Sequence, residues 1–253
     1  MNYIGIDIGS TAAKVAVLGE TQQYFVLPTG WSSIDTARAI QEQLQQRGIS
    51  LDESLVVSTG YGRSAVNFAD KQITEITCHA AGCAEKYPNC SVIDVGGQDT
   101  KTIRIVDGVV SDFLMNDKCS AGTGKFIEVM ANRLGCDIDH LFEMAERGSA
   151  LPISSLCTVF AESEVINHVG AGKPREDIAA GVVDSVAAKV AGLAGRLALS
   201  DQVVLTGGLS HLPLFAQSIG KKLGHPVQPL ENGRYAGAYG AALLAQKLSE
   251  KKK

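Results

Sequence analysis

One strand–turn–strand pattern occurs twice in this sequence, and the duplication limits the possible folds more than any other feature. Residues 3–18 place two apolar strand patterns around a Gly-Ser-Thr turn, and residues 91–106 repeat the arrangement around a Gly-Gly turn. Asp7 aligns with Asp94, and Lys14 aligns with Lys101. Because the repeated unit is a whole supersecondary motif, the pattern predicts two related lobes and argues against a solenoid of short repeats.

Helical periodicity fills the segments between and after these units. It predicts helices over 33–47, 123–134, 159–169, 178–199 and 235–248, and a strand over 202–206. Strands and helices mixed in this way predict an α/β protein with an N-terminal lobe at 1–90 and a C-terminal lobe at 91–234. We expect the last helix, 235–248, to pack back on the first lobe, and a nucleotide to bind between the lobes.

Charge and hydropathy exclude several classes of partner. The 253 residues carry a net charge of −4, which gives no electrostatic basis for binding nucleic acid or an anionic membrane. The most apolar stretch, 182–199, is interrupted by three charged residues and is not expected to span a bilayer. The N-terminus shows no targeting signal, so the sequence predicts a cytoplasmic protein whose thiols stay reduced. The six cysteines are therefore expected to be buried thiols or metal ligands, and not disulfides.

The turns of the repeated unit have the chemistry of phosphate-binding loops. Asp7 ends a strand, Gly9 allows close backbone approach, and Ser10 and Thr11 add hydroxyl donors. One such turn by itself is more often only a tight turn. Two matched turns could clamp the phosphates of one nucleotide, with both aspartates holding a hydrated Mg²⁺.

A third glycine turn follows the strand predicted at 202–206 and contains Gly207 and Gly208, which we expect to meet the adenosine. A Walker P-loop is absent from the sequence. The three turns together resemble the phosphate and adenosine motifs of the actin, Hsp70 and sugar-kinase ATPase superfamily. That resemblance implies a fold of two duplicated ribonuclease-H-like lobes.

Two cysteines stand out by their position. Cys119 and Cys157 each precede a helical pattern, and the partial positive charge of a helix N-terminus favours thiolate over thiol. Such thiolates suit an iron–sulfur cluster, and a cubane cluster, which takes four, would then lie on the axis of a two-fold dimer. Spacing alone nevertheless favours the simpler interpretation, two unrelated buried cysteines. The other cysteines form no standard ligand pattern.

The residues around these cysteines carry a more specific resemblance. The segments Asn-Asp-Lys-Cys-Ser-Ala-Gly-Thr-Gly at 116–124 and Cys-Thr-Val-Phe-Ala-Glu-Ser-Glu at 157–164 resemble the activator proteins of 2-hydroxyacyl-CoA dehydratases and benzoyl-CoA reductases. The resemblance extends over almost the whole chain. It implies a homodimer that holds one bridging 4Fe–4S cluster and couples ATP hydrolysis to the transfer of one electron.

The same resemblance implies roles for particular residues. Cys119 and Cys157 would be the cluster ligands, and Asp7, Asp94 and Gln98 are the candidate catalytic residues for Mg²⁺-dependent ATP hydrolysis. The residues expected to contact ATP or ADP lie in the three turns and at the start of the last helix: Ser10, Thr11, Ala12, Ala13, Lys14, Gly96, Gly97, Gln98, Gly207, Gly208, Tyr235 and Gly237.

The expected partner is an iron–sulfur dehydratase, an aryl-CoA reductase or a double-cubane cluster protein, with ferredoxin or flavodoxin as the electron donor. Two other functions remain open. A small-molecule kinase of the same superfamily would need a substrate pocket and a catalytic aspartate; Asp99 could be forced into that role, but the sequence shows no insertion for a second substrate-binding lobe. An ATP-dependent chaperone or reactivase without redox chemistry would use the cysteines only as structural residues.

Overall fold

The computed structural model describes residues 1–153 and 157–250, and these form two compact units. The first unit comprises Met1–Cys90, Ile105–Ser111 and Arg234–Lys253, and the second comprises Ser91–Arg104 and Asp112–Gly233. None of the helices in the described residues is long and apolar enough to cross a membrane.

The first 90 residues contain five strands and two helices in an order that starts with a hairpin. These elements are β1 (Asn2–Ile8), β2 (Ala12–Leu18), β3 (Gln23–Pro28), α1 (Ser33–Gln46), β4 (Ser54–Thr59), β5 (Lys71–Gln72) and α2 (Glu75–Ala84). A second set of strands and helices follows: β6 (Cys90–Val95), β7 (Thr100–Val106), β8 (Val109–Asn116), α3 (Gly124–Arg133), α4 (Ile138–Arg147), α5 (Thr158–Gly170), α6 (Arg175–Ala194), β9 (Val203–Gly207), α7 (Pro213–Leu223), β10 (Gln228–Pro229) and α8 (Ala236–Glu250).

Each set of strands forms one five-stranded sheet. The first sheet has the order β3-β2-β1-β4-β5, in which β1 pairs antiparallel with β2 and parallel with β4. The second sheet has the order β10-β9-β6-β7-β8, in which β6 pairs parallel with β9. The predicted hairpin at 3–18 is therefore confirmed, and the two repeated motifs lie at the centre of their own sheets.

Glycines allow α8 to pack against the first sheet at very short range. A side chain at Gly5 of β1 would overlap the carbonyl oxygen of Ala238, and one at Gly240 would overlap the carbonyl oxygen of Cys78. The helices α2 and α8 and the strand β1 can approach this closely because nothing larger than hydrogen stands at these positions. This contact fixes the start of α8 beside the end of β1.

The second unit has its apolar core around α6. Ile178, Val182, Val186 and Val190 of this helix are fully or almost fully buried, together with residues of α3, α4, α7 and β9. Pro174 precedes the first turn of α6 and Gly195 follows its last turn, so the helix starts and ends earlier than the predicted 178–199.

The other predicted helices are present with small differences at their ends. Three short helices, α2, α4 and α7, were not predicted from the sequence. In α4 the start signal is present, because the Asp137 side chain accepts a hydrogen bond from the backbone N–H of His140. The apolar residues of α4 occupy little more than two turns, which is too short a pattern to separate from noise.

Candidate functional site: two nucleotide turns and a cysteine pair

The turn after β1 presents a buried carboxylate paired with a lysine. Asp7 and Lys14 face each other across the β1–β2 hairpin, and Lys14 Nζ lies 3.9 Å from Asp7 Oδ2. Gly9 N–H donates to the carbonyl of Ala12 at 3.2 Å and closes the turn. Ser10 and Thr11 form its tip, where both have solvent access.

The start of α8 lies against the same aspartate. A side chain at Gly237 would stand 3.0 Å from Asp7 Oδ2 and 2.8 Å from His79 Nε2, so only glycine leaves room here. Tyr235 precedes this point in a 3-10 turn and packs its ring against Tyr24, with centroids 5.0 Å apart. Within the first unit, the predicted residues Asp7, Lys14 and Gly237 are thus brought together.

His79 is a neighbour that sequence reasoning did not assign to the site. It is buried on α2, and its Nε2 lies 3.9 Å from Glu75 Oε1, one helical turn away. A signal existed in the Cys-His pair at 78–79, but such a pair is several times more often a buried thiol beside a hydrogen-bonded imidazole than a site. Only the packing of α2 against α8 places His79 beside Gly237.

The turn after β6 is held by a buried network of charges. Lys101 is 1% exposed, and its Nζ lies 2.8 Å from Asp99 Oδ2 and 3.4 Å from Asp94 Oδ2. Asp94 Oδ1 accepts a hydrogen bond of 2.8 Å from Thr206 Oγ1. A buried ammonium group is tolerated only when it is paired, so the two carboxylates and the lysine stabilise one another.

The third turn stands beside the second within the same unit. Gly207 ends β9 opposite Val95 of β6, with a φ of 93° that suits glycine, and a side chain there would overlap the Val95 carbonyl oxygen. Gly208 follows and is exposed. The turn that contains Gly96, Gly97 and Gln98 is joined at its base by the bond between Gly96 N–H and the carbonyl of Asp99, 2.9 Å long. Gln98 itself is exposed.

Both cysteines of interest are exposed free thiols. Cys157 is the N-cap residue of α5, as expected from the sequence. Cys119 also precedes a helix, but it lies in the loop four positions before Thr123, the N-cap residue of α3. There its N–H donates to Asn116 Oδ1 at 3.2 Å, and its carbonyl accepts from Asn116 Nδ2 at 2.8 Å. An asparagine side chain therefore positions Cys119.

The two cysteine segments meet through their next residues. Ser120 Oγ and Thr158 Oγ1 are hydrogen-bonded at 2.9 Å, which brings the loop of Cys119 against the first turn of α5. Separated by 38 positions in the sequence, Cys119 and Cys157 consequently belong to one small region of the second unit.

Lys189 of α6 marks the same region electrostatically. Burial lowers the pKa of its ammonium group from the ordinary value, and Cys119, Cys157 and Glu164 act in the opposite direction. The side chain of Lys189 also packs against Gly122, where an added Cβ would stand 3.1 Å from Lys189 Cβ. In the sequence this residue was only a charge that interrupts an apolar helix. Its isolated position in that pattern was the available signal.

These residues fit an iron–sulfur cluster and a magnesium ion. Two exposed thiols in one region, near a lysine cation, supply half of the four thiolates that a cubane cluster takes. Asp7 and Asp94 each offer a carboxylate at a strand end, and Mg²⁺ commonly takes one or two carboxylates while it keeps several waters.

One face of α5 is apolar and exposed. Val159, Phe160, Ile166 and Val169 are between 49% and 66% exposed, whereas Ala161 and Val165 of the same helix are buried. Exposed apolar groups concentrated on one helix are typical of a surface that another molecule covers. This surface begins two residues after Cys157.

A fold with two such sheets and glycine turns defines an α/β ATPase of the actin and sugar-kinase type. A ROK family glucokinase from Streptomyces griseus shares this fold, with a TM-score of 0.60 at 16% identity over 98% of this chain and all of the other. The activator of the 2-hydroxyisocaproyl-CoA dehydratase from Clostridium difficile, solved with bound ADPNP, matches more closely. Its TM-score is 0.93 at 36% identity, over 100% of this chain and 98% of the other.

The chain belongs to the BadF/BadG/BcrA/BcrD ATPase family, whose model matches residues 4–245. It is 40% identical, over 255 residues and 98% of both chains, to the (R)-2-hydroxyglutaryl-CoA dehydratase activating ATPase of Acidaminococcus fermentans. These findings confirm the fold class and the family resemblance that the three turns and the two cysteine motifs indicated.

Proposed function

We propose that two copies of this chain hold one 4Fe–4S cluster and use ATP hydrolysis to transfer a single electron to a partner iron–sulfur enzyme. The observation that carries this proposal is the placement of Cys119 and Cys157 as exposed thiols on segments joined by the Ser120–Thr158 hydrogen bond. Membership of an ATPase family, and relatives that are named activators of dehydratases, support it.

The dimer follows from the number of ligands. One chain supplies two thiolates, so a cubane cluster is completed by the same two cysteines of a second copy across a two-fold axis. The exposed apolar face of α5 starts beside Cys157 and would be buried in that contact. When bound, the cluster would carry the electron that the partner receives.

Lys189 has a supporting role in this proposal. Its ammonium group lies close enough to interact with both cysteines, so a cation is available beside the negative charge of a bound cluster. Asn116 holds the backbone of Cys119 on both sides, which limits the positions that the sulfur can take. Residues of this chain thereby place a cation near both sulfurs and restrict the position of Cys119.

The turns would bind ATP or ADP with Mg²⁺. We assign the phosphates to Ser10, Thr11, Ala12, Ala13 and Lys14 and to Gly96, Gly97 and Gln98, and the adenosine to Gly207, Gly208, Tyr235 and Gly237. Asp7 and Asp94 would hold the hydrated ion, and Gln98 is exposed at a turn where it could orient the attacking water. ATP acts here as a timer and energy source without a phosphoryl acceptor.

We propose a 2-hydroxyacyl-CoA dehydratase, a benzoyl-CoA reductase or a double-cubane cluster protein as the partner, and ferredoxin or flavodoxin as the donor. The named relatives are activators of the first class. Reduced thiols at Cys119 and Cys157 require a reducing compartment, so we place the protein in the cytoplasm.

Anaerobic purification tests the proposal. Iron, sulfide, the visible spectrum and the mass in solution should show a brown dimer with about four irons per two chains, bleached by reductant. Cys157→Ser should lose the iron, and Cys136→Ser is the matched control because Cys136 is a partly exposed thiol on the loop after α3.

Other outcomes point to the other functions. A protein that stays colourless and iron-free after anaerobic reconstitution would contradict electron transfer, and formation of a phosphorylated small molecule would then identify a kinase. Partner activation that survives Cys157→Ser would identify a chaperone or reactivase with structural cysteines.

A further inference from the structure

Three hydrogen bonds join the turn after β6 to the segment that follows Cys119. The N–H of Gly124 donates to the carbonyl of Gly96 at 2.9 Å, and the N–H of Lys125 donates to the carbonyl of Gly97 at 2.8 Å. The third bond runs from Thr100 Oγ1 to the carbonyl of Gly122 and is 2.6 Å long. All three lie within the second unit, so the turn and the segment are directly bonded neighbours.

The third bond differs from the other two because a side chain makes it. Thr100 is the first residue of β7, directly after the turn, and it is 1% exposed. Its hydroxyl satisfies a carbonyl that would otherwise be buried without this donor. A substitution can remove this bond and leave both backbone bonds in place.

At the other end, the segment that carries Cys119 is internally bonded and would move as one piece. Asn116 brackets the backbone of Cys119, and both Thr123 N–H and Thr123 Oγ1 donate to the carbonyl of Ser120, at 3.0 and 2.7 Å. The side chain of Ser120 continues the path to α5 through Thr158. A displacement of Gly122 therefore reaches the positions of both cysteine segments.

We propose that Thr100 is a positioning residue that couples the nucleotide state of the 96–99 turn to the position of the Cys119 loop. This inference rests on the proposed function, since it assigns the path by which ATP would act on the cysteine pair. A nucleotide that binds one position of the turn more tightly than another shifts the equilibrium between those positions, by an amount set by the difference in affinity. The hydrogen bond of the Thr100 hydroxyl would carry this movement to the Cys119 loop.

The test measures how fast Cys119 in the full-length reduced protein is alkylated by iodoacetamide, with and without ADPNP and Mg²⁺, by peptide mass spectrometry. In the wild-type protein we expect the nucleotide to change this rate. In Thr100→Val the ratio of the rates with and without nucleotide should approach one. The nucleotide effect should fall by up to about tenfold, because one buried hydrogen bond changes an equilibrium by about that factor. Binding of ADPNP is measured separately and should persist.

Thr102→Val is the matched control. Thr102 lies on the same strand and is fully buried, and its hydroxyl has no hydrogen-bond partner among the described residues. The substitution should leave the nucleotide effect unchanged. Thr100→Ser keeps the hydroxyl and should retain the effect as well.

The results test two claims separately: that nucleotide binding affects the Cys119 loop, and that Thr100 carries this effect. A nucleotide effect that persists in Thr100→Val overturns the role of Thr100, and so does its loss in Thr102→Val. If Thr100→Val does not fold, a folded Thr100→Ser protein without the effect overturns the role as well. A wild-type protein without a nucleotide effect overturns the coupling itself. The measurement requires no cluster, so an iron-free protein counts against the electron-transfer function without affecting the test of Thr100.

Discussion

Lys101 shows how a single buried cation organises the nucleotide turn. It is among the largest fully buried side chains of the described residues, and its ammonium group lies within ion-pair distance of both Asp94 and Asp99, with Asp99 the nearer. The alignment of Lys14 with Lys101 in the sequence hid this difference, because Lys14 is partly exposed and lies 3.9 Å from Asp7. The two turns of the duplication therefore differ: the lysine is buried between two carboxylates in the second, and partly exposed beside one carboxylate in the first.

Asp94→Asn should lower the rate of ATP hydrolysis by about 100-fold or more, because it removes a charge that we assign to the magnesium ion. Lys101 keeps its 2.8 Å contact with Asp99, so the fold should survive. The rate is measured as phosphate release, with thermal unfolding as the check on folding. Asp112→Asn, an exposed carboxylate on β8, should hydrolyse ATP at the wild-type rate. Wild-type hydrolysis by Asp94→Asn would rule out this role.

The six thiols should separate by reactivity in the reduced, cluster-free protein. Cys119 and Cys157 are exposed, whereas burial raises the pKa of Cys78 to about 12 and that of Cys90 to about 11. Because the thiolate is the reactive form, mass spectrometry at pH 8 should find the exposed pair alkylated first and the buried thiols last. Equal rates would contradict the exposed placement of the pair.

Cys78 also predicts a pH dependence of stability. Its pKa is raised in the folded state, so the folded protein holds this proton more tightly than the unfolded chain. The contribution to the free energy of unfolding is complete below the ordinary pKa of 9.0 and decreases as pH rises from there towards about 12. Between pH 8 and pH 10, the free energy of unfolding measured with denaturant should decrease less in Cys78→Ala than in the wild-type protein. An equal loss would assign the dependence to other groups.

At the scale of elements, α5 buries few of its residues: of its 13 residues, Ala161 and Val165 are buried. Only one side of it contacts the core of the second unit, through Ala161 and Val165. Four other large apolar residues of this helix are exposed, and the first of them follows Cys157 by two positions. In the proposed dimer, a second copy of the chain would cover this surface.

Phe160→Glu should weaken the proposed dimer by at least tenfold, because a carboxylate would have to be desolvated in the contact. Sedimentation over a range of protein concentrations measures the dissociation constant, and iron content should fall in parallel. Ile34→Glu on α1 is the matched control, since Ile34 is 63% exposed and Phe160 is 66% exposed. Dimers of unchanged strength in Phe160→Glu would place the interface elsewhere.

The packing of α8 gives a second prediction at this scale. Gly240→Ala should lower the free energy of unfolding by about 1–3 kcal/mol or more, because the added methyl group would overlap the carbonyl oxygen of Cys78. Gly192→Ala has nothing within 4 Å on the exposed side of α6 and should be neutral or stabilise by roughly 0.5–1 kcal/mol. Denaturant unfolding measures both. Equal effects would show that α8 does not pack as described.

At the scale of the whole molecule, the proposed function requires that two chains share one cluster. Mixing wild-type chains with a Cys119→Ser/Cys157→Ser variant separates the possibilities. If four thiolates from two chains are needed, random pairing of equal amounts leaves iron only in wild-type dimers, which make up about one quarter of all dimers. The iron content would then be about one quarter of that of the same amount of wild-type protein. A cluster held within each chain would instead leave about half of that iron content. Anaerobic reconstitution of the mixed chains, followed by iron analysis, measures the fraction.

The sequence alone determined the α/β class, the two repeated hairpins and the family. These features depend on local patterns: apolar periodicity, glycines at turns, and two cysteine motifs that other ATPases of this fold do not need. The division into lobes and the roles assigned to the site residues stay predictions.

Only the tertiary structure decided which residues are neighbours at long range. Lys189 reaches the cysteines from a helix far along the chain, His79 meets Gly237 through the contact of α2 with α8, and Thr100 bonds to Gly122. No local pattern records such contacts, because each depends on how separate elements pack. Cys119 shows the same limit: the side chain of Asn116 holds its backbone, whereas the sequence indicated only that a helical pattern follows at 123–134.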